Sequence, residues 1–228
     1  MKTILKLLLA AFVLSLVPTT YICAQGHIET PAERKARLER EAREAEAKKK
    51  KPAAKKWAAQ GQFHEGLAAV ADANGKWGFI DKTGKVIVPC QWDYAEFFSE
   101  GLVCVQDANG KRGFIDKTGK QVIPCQWRSA WSFSEGLAYV ADANNKFGFI
   151  DKTGQVVIPC QWKDARSFSE GLAHVKDAND KWGFIDKTGE LVIPCQWEFA
   201  DSFSKGKASV KDANDKWYKI DKTGKIVK

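Results

Sequence analysis

Apolar and polar positions in this chain recur every 35 residues from about Trp57 onward, and within each repeat they alternate with the period of a β-strand. Gly66, Gly101, Gly136, Gly171 and Gly206 each open a GLA-like run, and Asp81, Asp116, Asp151, Asp186 and Asp221 each begin the string DKTG. Five units result. In the third, the pieces are GLAYVAD, ANNK, FGFID, KTGQ, VVIPCQW and KDARSFSEG. The apolar pieces are rich in Val, Ile, Phe and Trp, and the strings between them carry the Asn, Asp and Gly that tolerate left-handed backbone. The pattern predicts three short strands in an antiparallel meander, then a loop or one helical turn leading to the next unit.

Strand alternation sorts the side chains onto faces. VVIPCQW puts Val156, Ile158, Cys160 and Trp162 on one side, while GLAYVAD puts Ala138 and Val140 opposite Leu137, Tyr139 and Ala141. Comparing units within the chain separates scaffold from surface. The Ala138 position holds only Ala or Val and the Val140 position is always Val, as a buried face requires. The Tyr139 position reads Ala69, Cys104, Tyr139, His174 and Ser209 in turn. The connecting loop also varies, with Asp93, Tyr94 and Glu96 followed by Arg128, Ser129 and Trp131, by Lys163, Asp164 and Arg166, and by Glu198, Phe199 and Asp201.

A repeat array has no central core, since each unit packs mainly on its neighbours, and its terminal units expose a face that inner units bury. In the fifth unit Lys207 replaces the Leu, Lys219 replaces the Phe and Tyr218 replaces the Gly of the WGF string, which reads as a polar cap. At the other end Trp57 aligns with Trp92 without the strand that should precede it. The expected fold class is all-β: tandem three-stranded antiparallel β-meander repeats over residues 57–228, the last incomplete, in an open superhelical array. A closed propeller-like ring is the alternative.

What precedes the array has a different pattern. Residues 1–24 show a short basic start, an apolar run from Leu7 to Val17, and Ile22 and Ala24 placed for signal cleavage, so they read as a secretory signal peptide. Pro18 ends the run short of the roughly 20 apolar residues that span a bilayer. Cys23 raises lipid anchoring as a lesser alternative, because Thr20, Tyr21 and Ile22 lack the small residue wanted before a lipidated Cys. Residues 25–56 form a charged helical linker, in which TPAE at Thr30 has the spacing of a capping box and Leu38 is the only large apolar side chain of the helix body. A solvated spacer helix is expected.

The net charge of +8 suggests nucleic acid until it is located. The leader and linker carry all but +1 of it, so the repeats are balanced and nucleic-acid binding is not expected. Cys90, Cys125, Cys160 and Cys195 recur at one strand position; two intervening strands at ~4.8 Å apiece put them beyond the ~7 Å reach of a disulfide. They are expected to be buried thiols, with Cys104, at a variable position, as the one to react or to pair between molecules. The histidines His27, His64 and His174 form no metal-spaced cluster with Cys, and DANG and DAND lack the later Glu of a calcium loop. No metal, cofactor or catalytic residue is expected.

Trp77, Gly78, Phe79, Ile80 and Asp81, followed by KTGK, VIVPCQW and the FSEGL string at Phe98, resemble the WG repeat family of bacterial proteins over about Trp57 to Val227. Arg112 and Phe147 replace the Trp of the motif and Tyr218 its Gly. The resemblance implies β-rich repeats in exported or surface-associated proteins and supplies no catalytic residues. The expected function is an extracytoplasmic binding or scaffolding module, monomeric and without a transmembrane span once mature, that contacts a protein or glycan of the cell envelope through Tyr94, Arg128, Trp131, Tyr139, Lys163, Arg166, His174 and Phe199. A hydrolase acting on an envelope polymer, with Trp side chains as sugar platforms, is the alternative.

Overall fold

The computed structural model describes residues 29–50 and 57–227, so the signal-peptide and Cys23 assignments lie outside the described residues. The chain divides between Lys55 and Lys56 into two compact units. In the first, helix α1 (Pro31–Lys50) starts where the capping box places it: Thr30 N donates to Glu33 Oε2 at 2.8 Å, and Glu33 N donates to Thr30 Oγ1 at 3.3 Å. No helix among the described residues is long and apolar enough to cross a membrane.

The second unit is five antiparallel sheets of four strands each, connected in chain order. The first holds β1 (Ala59–His64), β2 (Leu67–Ala71), β3 (Trp77–Asp81) and β4 (Val86–Trp92). The second holds β5 (Tyr94–Ala95), β6 (Leu102–Gln106), β7 (Arg112–Asp116) and β8 (Gln121–Trp127). The third holds β9 (Ser129–Ala130), β10 (Leu137–Ala141), β11 (Phe147–Asp151) and β12 (Val156–Trp162). The fourth holds β13 (Asp164–Ala165), β14 (Ala173–Lys176), β15 (Trp182–Ile185) and β16 (Leu191–Trp197). The fifth holds β17 (Phe199–Ala200), β18 (Ala208–Lys211), β19 (Trp217–Ile220) and β20 (Ile226–Val227).

The meander thus has a fourth strand. The connecting string forms no helical turn. Its first residues pair as a two-residue edge strand, as in Tyr94↔Gln106 and Ala95↔Val105. The DKTG turns are fastened by their own aspartates: Asp151 Oδ1 accepts from Thr153 N at 2.8 Å, Thr153 Oγ1 at 2.6 Å and Gln155 N at 3.0 Å.

Both faces of an inner sheet are covered, because the sheets stack. Leu137, Phe149 and Ile158 of the third sheet, with Ala165 and Phe168 from the next connection, pack on Ala173, Val175 and Ile185 of the fourth. The same layer recurs between the other successive sheets. In each an edge-to-face phenylalanine pair sits 4.9 Å apart: Phe79–Phe98, Phe114–Phe133, Phe149–Phe168 and Phe184–Phe203. Stacking corrects one expectation. The variable column at Tyr139 is not open surface, because Cys104, Tyr139 and His174 are only 0%, 8% and 6% exposed within these layers.

A polar ladder runs beside the apolar one. Glu65, Glu100, Glu135 and Glu170 each adopt positive φ in the EG turn and accept from the backbone N of Gly101, Gly136, Gly171 and Gly206 in the next unit, at 3.0, 3.0, 2.9 and 2.9 Å. Lys117, Lys152, Lys187 and Lys222 close each clamp at 2.9, 3.0, 3.3 and 3.4 Å. These pairs are exposed and screened by solvent, so they fix the spacing of units more than they stabilise the stack. The ladder stops at Lys205, which holds the same positive φ with the opposite charge.

Tyr218 has a physical reason as well. At Gly78, Gly113 and Gly148 the outer strand passes so close that a Cβ would lie 2.5 Å from its backbone oxygen. In the fifth sheet that strand is only Ile226–Val227, and Tyr218 fits. Among the described residues no apolar cluster joins the fifth sheet back to the first. The described sheets thus form an open stack.

Candidate functional site

The connecting loops and the starts of β3 and β15 line one groove along the stack. Its first cavity, about 600 Å3, is walled by Trp77, Tyr94, Glu96, Phe97, Trp131 and Tyr139, among others. A second, about 350 Å3, shares Tyr139 and Ser167 with the first and adds Arg166, His174, Trp182, Phe199, Asp201 and Ser202. A third, about 770 Å3, begins at the shared Asp201 and Ser202 and ends among Lys205, Lys207 and Lys219 of the terminal sheet.

Aromatic and cationic planes organise the first cavity. The Arg112 guanidinium lies 4.9 Å from the Tyr94 ring and 6.0 Å from Trp131, whose ring stacks on Tyr139 at 4.3 Å and 8°. Arg112 Nη1 donates to Ala130 O at 3.0 Å and lies 3.7 Å from Glu96 Oε1, while Ser132 Oγ donates to Glu96 Oε2 at 2.8 Å. Burial pushes the Glu96 carboxyl above its usual range, against the opposing pulls of Ser132 and Arg112. Burial likewise raises the Tyr139 phenol to about 12, so it stays protonated. Phe97, 50% exposed and 4.6 Å from His64, stands open at the mouth.

In the second cavity Arg166 pairs with Asp164 through Nη1, which also donates to Ala165 O at 2.8 Å. Its guanidinium carbon lies 5.4 Å from the Trp182 ring. His174 lies 5.1 Å from Trp182, and burial lowers its pKa to about 4, with Arg166 acting in the same direction. Phe199 is 41% exposed and meets Trp217 edge-on at 5.4 Å.

Six of the eight expected contact residues, Tyr94, Trp131, Tyr139, Arg166, His174 and Phe199, line this groove. Arg128 and Lys163 do not line it. Lys163 Nζ meets Asp180 Oδ2 at 2.5 Å, and Asp93 and Glu198, in the same column, pair with Lys76 and Lys181. Variation there exchanges charge with the neighbouring hairpin turn. The sequence reading passed over Glu96, Arg112 and Phe97 as contacts. Glu96 shares a column with Trp131, Arg166 and Asp201, and Arg112 stands where other units carry Trp77, Phe147 and Trp182, so disagreement between units marks both.

The thiols need correction. No disulfide joins the five described cysteines; Cys90, Cys125, Cys160 and Cys195 are half-buried and Cys104 is fully buried. Cys104 Sγ donates to Ala130 O at 3.3 Å, and burial drives its pKa far up, which removes the thiolate needed for reactivity. In the native protein a thiol reagent at neutral pH is expected to leave Cys104 unlabelled until the array unfolds, as peptide mapping would read. Cys195, held up to about 11 by burial, should label slowly.

The WG containing repeat model matches residues 77–111, 113–146, 147–182 and 182–217. No curated protein matches the sequence. Among solved structures, the computationally designed Ika8 protein is similar at TM-score 0.50 and 13% identity, over 75% of this chain and 61% of that one. The chain therefore spans less than two thirds of that protein, and at this identity the likeness concerns fold alone. The WD40 β-propeller domain of Doa1 gives TM-score 0.40 at 13% identity, over 75% of this chain and 71% of that one. The extracellular domain of the putative one component system BT4673 from B. thetaiotaomicron gives 0.42 at 15%, over 75% and 29%. With four successive repeats matched on units that the sheets, clamps and turns delimit in the same register, the chain belongs to the WG containing repeat family.

Proposed function

We propose that this protein is an exported, non-catalytic binding module whose groove holds a protein or glycan partner of the cell envelope. One observation carries the reading: positions that differ from unit to unit, contributed by loops 35 residues apart, converge on one continuous groove, while the invariant positions build the stack behind it. Rigid repeats suit this task, since their loops are held by paired strands on both sides and little ordering remains to oppose binding. The apolar run and cleavage-like residues before Gln25 support export.

The hydrolase alternative would draw on Glu96, whose raised pKa suits an acid. Glu96 is already committed to Ser132 and Arg112, and the first cavity's described wall holds no second carboxylate to pair with it, which favours binding over turnover.

The test is capture from envelope extract on the full chain, compared with two variants. Replacing Tyr94, Arg166 and Phe199 together by Ala is expected to reduce capture at least about tenfold, as loss of aromatic and Arg anchors does. Replacing Arg128 and Lys163 by Ala is expected to leave capture unchanged. Equal capture by all three proteins, or release of soluble product from the extract, sinks the proposal.

A further inference from the structure

The second cavity, about 350 Å3, holds a polar side chain without a partner. His174 lines it, is 6% exposed, and has Nδ1 buried with no hydrogen bond. Other units settle that column. Cys104 reaches Ala130 O, Tyr139 stacks on Trp131, and Ser209 Oγ accepts from Lys219 Nζ at 2.7 Å. A buried polar atom left unpaired is costly, so an imidazole kept in this layer points to a partner arriving from the cavity. With its pKa near 4 the ring is neutral at neutral pH, with one N–H donor and one bare nitrogen acceptor.

The rest of the wall narrows the partner's chemistry. Arg166, itself paired with Asp164 behind the wall, brings a guanidinium, Asp201 brings a carboxylate, and Ser167 and Ser202 bring hydroxyls. A ligand of either net charge would meet a like charge within this small space. A hydroxyl group, which both donates and accepts, suits guanidinium, carboxylate, serine and neutral imidazole alike. Beside these groups the Phe199 ring is 41% exposed and offers an apolar plane. A pyranose has that combination: a rim of hydroxyls and an apolar C–H face.

We infer that this cavity is a subsite for a neutral sugar residue, its hydroxyls held by His174, Arg166 and Asp201 and its C–H face resting on Phe199. The inference rests on the groove reading and names its ligand class. The volume lies near the lower end of the ~300–1,000 Å3 of small-molecule sites. Through the shared Tyr139 and Ser167 the cavity continues into the first one, which gives a longer chain room beyond the sugar held here.

Titration calorimetry of the full chain tests it, using a panel of neutral trisaccharides of glucose, galactose, mannose and N-acetylglucosamine in α and β linkage, with tri-alanine as the peptide probe. At least one trisaccharide is expected to saturate the protein, with affinity falling about tenfold or more in Arg166→Ala and in Phe199→Ala. Both side chains are exposed, so the fold survives their removal. His174→Phe, verified as folded by circular dichroism, is expected to lose binding similarly. Absence of binding across the panel, saturation that these variants leave unchanged, or heat from tri-alanine alone overturns the sugar assignment. If capture of the envelope partner stays sensitive to Arg166 and Phe199 in that event, only the ligand class fails; if that sensitivity is absent too, the groove reading falls with it.

Discussion

Gly148→Ala is expected to destabilise the array by about 3 kcal/mol, the upper end of overpacking penalties, because nothing near the new methyl group can yield. Its Cβ would lie 2.5 Å from Ile158 O and 2.7 Å from Cys160 N, both main-chain atoms of β12. Relief requires lifting the strand at the register shift opposite Phe147 and Phe149, which would pull Ile158 and Trp162 from the layer they pack in. Tyr218 supplies the control, since it occupies the same column where the outer strand is two residues long. Tyr218→Ala removes a ring 6.1 Å from Trp197 and is expected to cost only about 1 kcal/mol. Urea melts followed by tryptophan fluorescence read both. A Gly148→Ala midpoint equal to that of the parent would show that the strand crossing is not tight.

The second large effect concerns acid. His174 has its pKa lowered from 6.5 to about 4 by burial, so the unfolded chain takes up a proton near pH 6.5 that the folded protein refuses until about pH 4. Stability is therefore unaffected by this group above about pH 7, falls as pH drops through 6.5, and has lost about 3 kcal/mol by pH 4. Carboxylates held below their usual range, such as Asp151 beside Thr153, act in the same direction only at lower pH. His174→Phe isolates the term: the gap in urea midpoint between parent and variant should move in the variant's favour as pH falls from 7 to about 4.5. A constant gap would mean that His174 protonates freely in the folded protein.

Much of the scaffold was legible from the sequence because it repeats. The columns at Ala138 and Val140 read as buried and are buried, and the Thr30–Glu33 box starts α1 where its spacing requires. The two-residue edge strands were not legible, since strand periodicity needs more positions than Tyr94–Ala95 provides. The burial of Cys104, Tyr139 and His174 was missed for another reason. Alternation assigns two faces to a strand, but only the stacking of sheets covers both. The Glu–Gly–Lys clamps were invisible too, because Glu100 meets Gly136 and Lys152 only after the units stack. The groove was partly legible: variation between units pointed to Tyr94, Trp131, Arg166 and Phe199, and it pointed equally to Arg128 and Lys163, whose column trades charge with a hairpin turn.

If the groove holds the partner as proposed, protection on binding should follow its lining. Hydrogen exchange of the full chain with and without captured partner reads this segment by segment. Slowed exchange is expected in the connections at residues 94–97, 129–132, 164–167 and 199–202, with the DKTG turns at Asp81, Asp116, Asp151 and Asp186 unchanged. Protection confined to those turns, or spread evenly over both sides of the stack, would contradict it.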